Sequence, residues 1–240
     1  LSRALWRGRA VDGVLFDLDG TLMDTLPDIT LSLNRALAEL RLQPLTLAEV
    51  RPLIGRGGPV LIERAVRRLG VTMDARALAS LHERFALLGL GLLEANESTA
   101  ALFPGVLDGL LALRALGLKI AVVTNKQQRL ALDLISRQGL RSCVDAVVGG
   151  DECARRKPDP EPLRLACGRL EVPTSRALMV GDSINDVLAA RAAEMPVICV
   201  PYGYNEGQDA RLLPCDALIE SIGELPALLG GTPAQLPSSG

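Results

Sequence analysis

Val11-Asp12-Gly13-Val14-Leu15-Phe16-Asp17-Leu18-Asp19-Gly20-Thr21 is the stretch on which the reading of this chain turns. Residues 11–16 form a short, largely apolar run that stops at Asp17. A run of that length, bounded by turn-forming residues, reads as a buried strand that ends in a functional loop. In an extended segment Asp17 and Asp19 point the same way, because strand side chains alternate. Two carboxylates held close resist joint ionisation unless a cation or a hydrogen-bond donor compensates. Gly20 permits a tight turn, and Thr21 adds a hydroxyl. By itself D-x-D-G is equally an ordinary solvated turn, so the surroundings must decide.

Downstream, residues 27–93 show helical periodicity and no convincing strand, with helices predicted over 28–40, 47–53, 60–69 and 74–93. Thr46 followed by Glu49 fits a capping box at the start of the second. Beyond Pro104 the texture becomes strand–helix alternation. Strands are predicted at 119–123, 145–148, 177–180 and 196–200, with a weak one at 217–219. Helices are predicted at 106–116, 127–137, 160–170 and 185–193. Such alternation implies an α/β fold, a Rossmann-like doubly wound parallel sheet covered on both faces. The expected layout is a core over 10–25 and 100–229, an inserted all-helical (four-helix) domain over 26–99, and a flexible Gly/Pro/Ser-rich tail over 230–240. Ligands of such sheets bind beyond the carboxyl ends of the strands, so the residues that follow each strand carry the chemistry.

After the second core strand come Thr124-Asn125-Lys126. A hydroxyl and backbone amides leading into a helix make an anion cradle, or simply a helix cap. After the third come Arg155-Arg156-Lys157-Pro158-Asp159-Pro160, where the prolines fix the path and hold Lys157 at a helix entry. Lysine binds phosphate as a point charge. The fourth ends in Gly181-Asp182-Ser183-Ile184-Asn185-Asp186, whose two acids can complete an oxygen-rich site for Mg²⁺. Each segment has an ordinary structural explanation alone. Four in order, after four successive strands, point to one site.

Together, DLDGT at 17–21, VVT at 122–124, KPDP at 157–160 and GDSIND at 181–186 resemble the motif set of the haloacid dehalogenase-like hydrolase superfamily. The resemblance spans residues 11–228 and implies a Mg²⁺-dependent phosphatase with a transient aspartyl-phosphate. It implies Asp17 as nucleophile and Asp19 as general acid and base, with Thr124, Asn125 and Lys157 on the phosphoryl oxygens. It further implies Mg²⁺ held by Asp17, the Asp19 backbone carbonyl and Asp182, with Asp186 in support. Asp19 argues against the metal-free dehalogenase reaction, and the lack of lysine between Pro27 and Leu93 argues against the phosphonate-cleaving branch. The helical insert looks like the four-helix cap of the phosphoglycolate phosphatase-like subgroup. Segments 50–58, 123–126 and 201–207 favour phosphoglycolate phosphatases within it, although phosphatases for sugar phosphates, nucleotides or pyrophosphate share versions of them. A phosphosugar mutase and a catalytically silent binding protein remain alternatives, the latter disfavoured because every motif carboxylate and the motif lysine are present.

Smaller features complete the expectations. Arg56, in the glycine-rich loop 55–58, is expected to meet a substrate carboxylate through its guanidinium fork. His82, the sole histidine, is expected on a solvated helix face. Tyr202 and Tyr204 fall near the mouth of the site. The net charge of −2 gives no polybasic footprint, against a nucleic-acid or anionic-membrane partner. Five scattered cysteines without a C-x-x-C pair suit reduced thiols. No apolar run approaches the roughly 20 residues needed to span a bilayer. The apolar stretch before Asp17 is too short for a signal peptide. A cytoplasmic monomer or homodimer acting on a small-molecule phosphate ester is expected.

Overall fold

In the computed structural model, residues 4–230 are described; the tail expectation, from residue 231 onward, lies outside them. The chain opens with an antiparallel ribbon, β1 (Leu5–Trp6) and β2 (Arg9–Ala10), before β3 (Gly13–Phe16). Next come β4 (Met23–Asp24) and four helices, α1 (Leu26–Glu39), α2 (Leu47–Val50), α3 (Gly58–Arg68) and α4 (Ala75–Glu94). The chain then returns through β5 (Ala101–Leu102), α5 (Val106–Ala115), β6 (Lys119–Val123), α6 (Gln128–Arg137) and β7 (Ala146–Val148). It finishes with α7 (Glu161–Leu170), β8 (Ala177–Gly181), α8 (Ile184–Ala192), β9 (Val197–Cys199), β10 (Ala217–Leu218) and α9 (Leu225–Leu228).

Six strands form a parallel sheet in the order β10-β9-β8-β3-β6-β7. The chain builds β3, β6 and β7 outward to one side, then crosses back to place β8, β9 and β10 on the other. The order reverses at β3, the switch point where open α/β sheets form their crevice. Side-chain alternation along β3 sends Val14 and Phe16 into one apolar layer and Leu15 into the opposite one, all fully buried. The near-continuous apolar strands follow from burial on both faces. A third apolar cluster lies within the helical layer and includes Leu33 and Leu37 of α1 and Ile62 and Ala65 of α3, both helices packing on α4.

The parallel core and the helical insertion match the expected fold class. The Thr46 capping box forms, with the Glu49 amide donating to Thr46 Oγ1 and the Thr46 amide donating to Glu49 Oε2. One expected helix divides: 47–53 is α2 followed by a 3-10 turn at Arg51–Leu53, where Pro52 has no N–H to continue an α-helical ladder. Two antiparallel ribbons were not expected. Of these, β4 and β5 pair where the helical insertion leaves the sheet and returns. All five cysteines are free. No helix among the described residues is long and apolar enough to cross a membrane.

Candidate active site

Asp17 follows β3, and its amide donates to the Val180 carbonyl at 2.9 Å, so its place is fixed by the sheet. Its side chain is held on one oxygen only. Oδ1 accepts the Leu18 amide at 2.8 Å and pairs with Lys157 Nζ at 2.9 Å. Among the described residues Oδ2 has no hydrogen-bond partner, and Asp17 lines the cavity between the sheet edge and the helical layer. A carboxylate anchored on one oxygen and unpartnered on the other has the chemical capacity to act as a nucleophile.

Lys157, buried among acids, uses all three ammonium donors. Nζ donates to Val123 O at 2.6 Å and pairs with Asp186 at 2.7 Å and with Asp17. Burial alone would depress its pKa, but Asp17 and Asp186 outweigh burial and push it up, so it stays charged. Asp186 also accepts the amide and hydroxyl of Ser183 at 3.1 and 2.8 Å, which locks it at the start of α8. Asp182 accepts Thr21 Oγ1 at 3.2 Å and the Tyr204 amide at 2.6 Å. Two glycines allow this crowding. A Cβ on Gly181 would lie 2.4 Å from Asp186 Cγ, and one on Gly203 only 2.2 Å from Asp182 Cβ.

Carboxylate oxygens of Asp17, Asp182 and Asp186 all lie within 4.8 Å of one another. Burial pushes the Asp17 carboxyl well above the usual range; Lys157 opposes this, and Asp186 and Asp182 add to it. Burial, followed by the Asp186 charge, raises Asp182 to about 6 against the hydrogen bonds from Tyr204 and Asn205. One ammonium does not neutralise three buried acids, and all the donors are hard oxygens. That set fits a hard divalent cation. The Asp19 side chain lines the same cavity but stands outside this cluster: Oδ1 accepts Thr25 Oγ1 at 2.6 Å, and Lys126 Nζ lies 3.0 and 3.1 Å from its two oxygens.

Thr124 is buried on the cavity floor beside Asp17 and Asp182, its Oγ1 accepting the Lys126 amide at 3.1 Å. The Asn125 side chain joins the two layers, donating at 2.9 Å to both Gly55 O and Lys157 O. Arg56 is not brought to the cavity. Its Nε donates to Glu206 Oε1 at 3.0 Å, and about half of its side chain is exposed. His82 departs from expectation: it is half-buried on the cavity wall, where a Cβ on Gly58 would meet its Nε2 at 2.5 Å. Burial, then the charge of Arg156, lowers its pKa.

Three contributors were missed as such. Lys126 grips Asp19. Glu206 gathers Arg56, Arg64 at 2.6 Å and Asn185 at 3.1 Å. The Tyr204 hydroxyl accepts the Thr25 and Leu26 amides at 2.8 and 2.9 Å and donates to Asp24 at 2.7 Å. The one usable signal was the scarcity of lysine: only positions 119, 126 and 157 carry it, and two of these follow core strands.

Comparison with known proteins agrees with this geometry. The family model for haloacid dehalogenase-like hydrolases matches residues 14–200. A plasmid-encoded phosphoglycolate phosphatase of Cupriavidus necator is 45% identical over 226 residues, covering 93% of this chain and 94% of the relative. The phosphoglycolate phosphatase of Nitrosospira multiformis is 42% identical over 225 residues, covering 91% and 96%. Among solved structures, a predicted phosphoglycolate phosphatase from Haemophilus somnus 129pt superimposes with a TM-score of 0.83 at 29% identity, covering 91% of this chain and 97% of that one. CbbY of Rhodobacter sphaeroides, solved in complex with phosphate, gives 0.78 at 29% identity, covering 92% and 99%. With the buried acids, the lysine at their centre and the helical insertion at the switch point, this chain belongs to the haloacid dehalogenase-like hydrolase family.

Proposed function

We propose that the chain hydrolyses phosphate monoesters through an aspartyl-phosphate on Asp17, with 2-phosphoglycolate as substrate and Mg²⁺ as cofactor. The observation that carries this reading is the asymmetry of Asp17: Oδ1 is anchored by Lys157 and the Leu18 amide, while Oδ2 is left to the cavity. Asp17 Oδ2 bonds to phosphorus as the ester P–O bond breaks, and Asp19 gives its proton to the departing glycolate oxygen. Asp19 then takes a proton from water as that water bonds to phosphorus and the Asp17–phosphorus bond breaks. Lys157 offsets the repulsion between the Asp17 carboxylate and an anionic phosphate, and Thr124 holds a phosphoryl oxygen, a role supported by its lying with Asp17 in the cavity lining. Asp17 and Asp182, with the Asp19 carbonyl, would hold Mg²⁺, and Asp186 braces Lys157. When bound, the cation supplies positive charge to the phosphoryl oxygens. Two relatives that cover nearly the whole chain are phosphoglycolate phosphatases, which supports the substrate assignment.

The test is phosphate release with Mg²⁺ from 2-phosphoglycolate, sugar phosphates, nucleotides and pyrophosphate. Phosphoglycolate should give the highest kcat/KM. Asp17→Asn should lower turnover by at least roughly 10⁴-fold. Robust turnover in that variant removes the nucleophile assignment, and a better substrate elsewhere in the panel removes phosphoglycolate.

A further inference from the structure

Lys126 and Lys157 stand in the loops that follow two neighbouring strands and each grips one of the two motif aspartates, but their ammonium groups are satisfied differently. Lys157 uses three donors on three protein acceptors. Lys126 Nζ contacts only the two oxygens of Asp19 among the described residues, and an ammonium carries three donors. Lys126 lines the cavity, and only about 12% of its side chain is exposed, so its charge is poorly shielded by solvent. The neighbouring cations are committed elsewhere. Arg56 and Arg64 are bound to Glu206, Arg51 donates to the Tyr202 and Gly203 carbonyls, and Arg156 donates to Gly150 O at 2.7 Å. His82, on the cavity wall, is discouraged from charging by burial and by Arg156.

We propose that Lys126 is a specificity-determining residue, whose free ammonium donor receives the carboxylate at the far end of the substrate while its other donors hold Asp19. The inference rests on the phosphoglycolate reading above. In that substrate one methylene separates the ester oxygen from the carboxylate. The group that meets the carboxylate must therefore stand beside the group that serves the ester oxygen. Lys126, in contact with both oxygens of Asp19, meets that requirement; Arg56, turned to Glu206 and outside the cavity wall, does not.

The test compares 2-phosphoglycolate with ethyl phosphate, in which a methyl group replaces the carboxylate. In Lys126→Met the ratio of kcat/KM values between the two esters should fall by about 10- to 100-fold, the range for a charge-assisted hydrogen bond, mainly through KM for phosphoglycolate. Lys126→Arg should keep most of the ratio, and a melting curve matching the parent verifies that each variant is folded. If Lys126→Met slows both esters in equal proportion, Lys126 only holds Asp19 and the proposal is overturned. It is overturned equally if the ratio collapses in Arg56→Ala instead. If the parent enzyme turns over ethyl phosphate and not phosphoglycolate, the proposed function fails and the specificity role fails with it. A parent that hydrolyses phosphoglycolate while Lys126→Met preserves the ratio leaves the function standing and sinks the inference alone.

Discussion

The floor of the cavity and the seam above it are built on opposite rules. On the floor, Lys157 has three acceptors, Asp186 accepts on both oxygens, and glycines at 181 and 203 let the acids approach the backbone. Along the seam, polar groups are left with open capacity. Asn125 Oδ1 and Asn185 Oδ1 are buried without a partner, and Lys126 has a donor to spare. A saturated network holds one geometry, which suits an unchanging reaction at phosphorus. An unsaturated one leaves groups for a ligand to complete. The contrast teaches how the two regions differ: on the floor only Asp17 Oδ2 is left open within an otherwise saturated network, whereas along the seam several polar groups are still short of a partner.

Breaking the floor should cost most. Lys157→Met leaves Asp17 and Asp186 without their buried counter-charge, so kcat should fall by roughly 10²- to 10³-fold. Stability should drop by roughly 3–5 kcal/mol, read by denaturant unfolding with and without Mg²⁺; an unchanged midpoint would show that the acids do not depend on this lysine. A smaller effect sharpens the same point through pH. Asp182 keeps its proton to about pH 6 in the folded chain, against 3.8 for an ordinary aspartate. Between those values the native state binds more protons than the unfolded one, so without metal, stability should fall as pH rises through that window. Added Mg²⁺ should raise Tm more at pH 7 than at pH 5, measured by scanning calorimetry against a chelator control. The smallest effect belongs to the seam. Glu206→Gln weakens pairs to Arg56 and Arg64, whose side chains remain 49% and 23% exposed. It should cost about 1 kcal/mol, or about 2–4 °C in Tm for a chain of this size. A loss as large as that of Lys157→Met would erase the distinction between floor and seam.

The division also tracks what could be read before the structure. Asp17, Thr124 and Asp182 were legible because each directly follows a strand whose apolar run is plain in the sequence, and Lys157 because prolines mark the loop after the next strand; a parallel sheet brings such positions together. The six core strands were legible as short apolar runs and the helical insertion by its periodicity. The two ribbons were not, because strands of two residues carry no period. Pairings across the seam left no local trace. Glu206 meets Arg56 across 150 positions, and Tyr204 meets Asp24 across 180. The solvated face expected for His82 failed for a related reason: the cavity wall exists only once α3 packs on α4 and Gly58 faces the imidazole.

The pairing of Met23–Asp24 with Ala101–Leu102 gives the fold a property of a different kind. The helical segment leaves and re-enters the sheet at neighbouring points, so its two ends are already joined at the base. A segment whose ends meet can change in length or be replaced without altering strand order. Grafting a different helical segment between those two strands is therefore a modular operation, with three conditions at the joint. The replacement must present backbone amides to the Tyr204 hydroxyl, a carbonyl to Asn125 and a cation to Glu206. In engineering terms, the sheet with its acids is a socket, and these contacts define its pins.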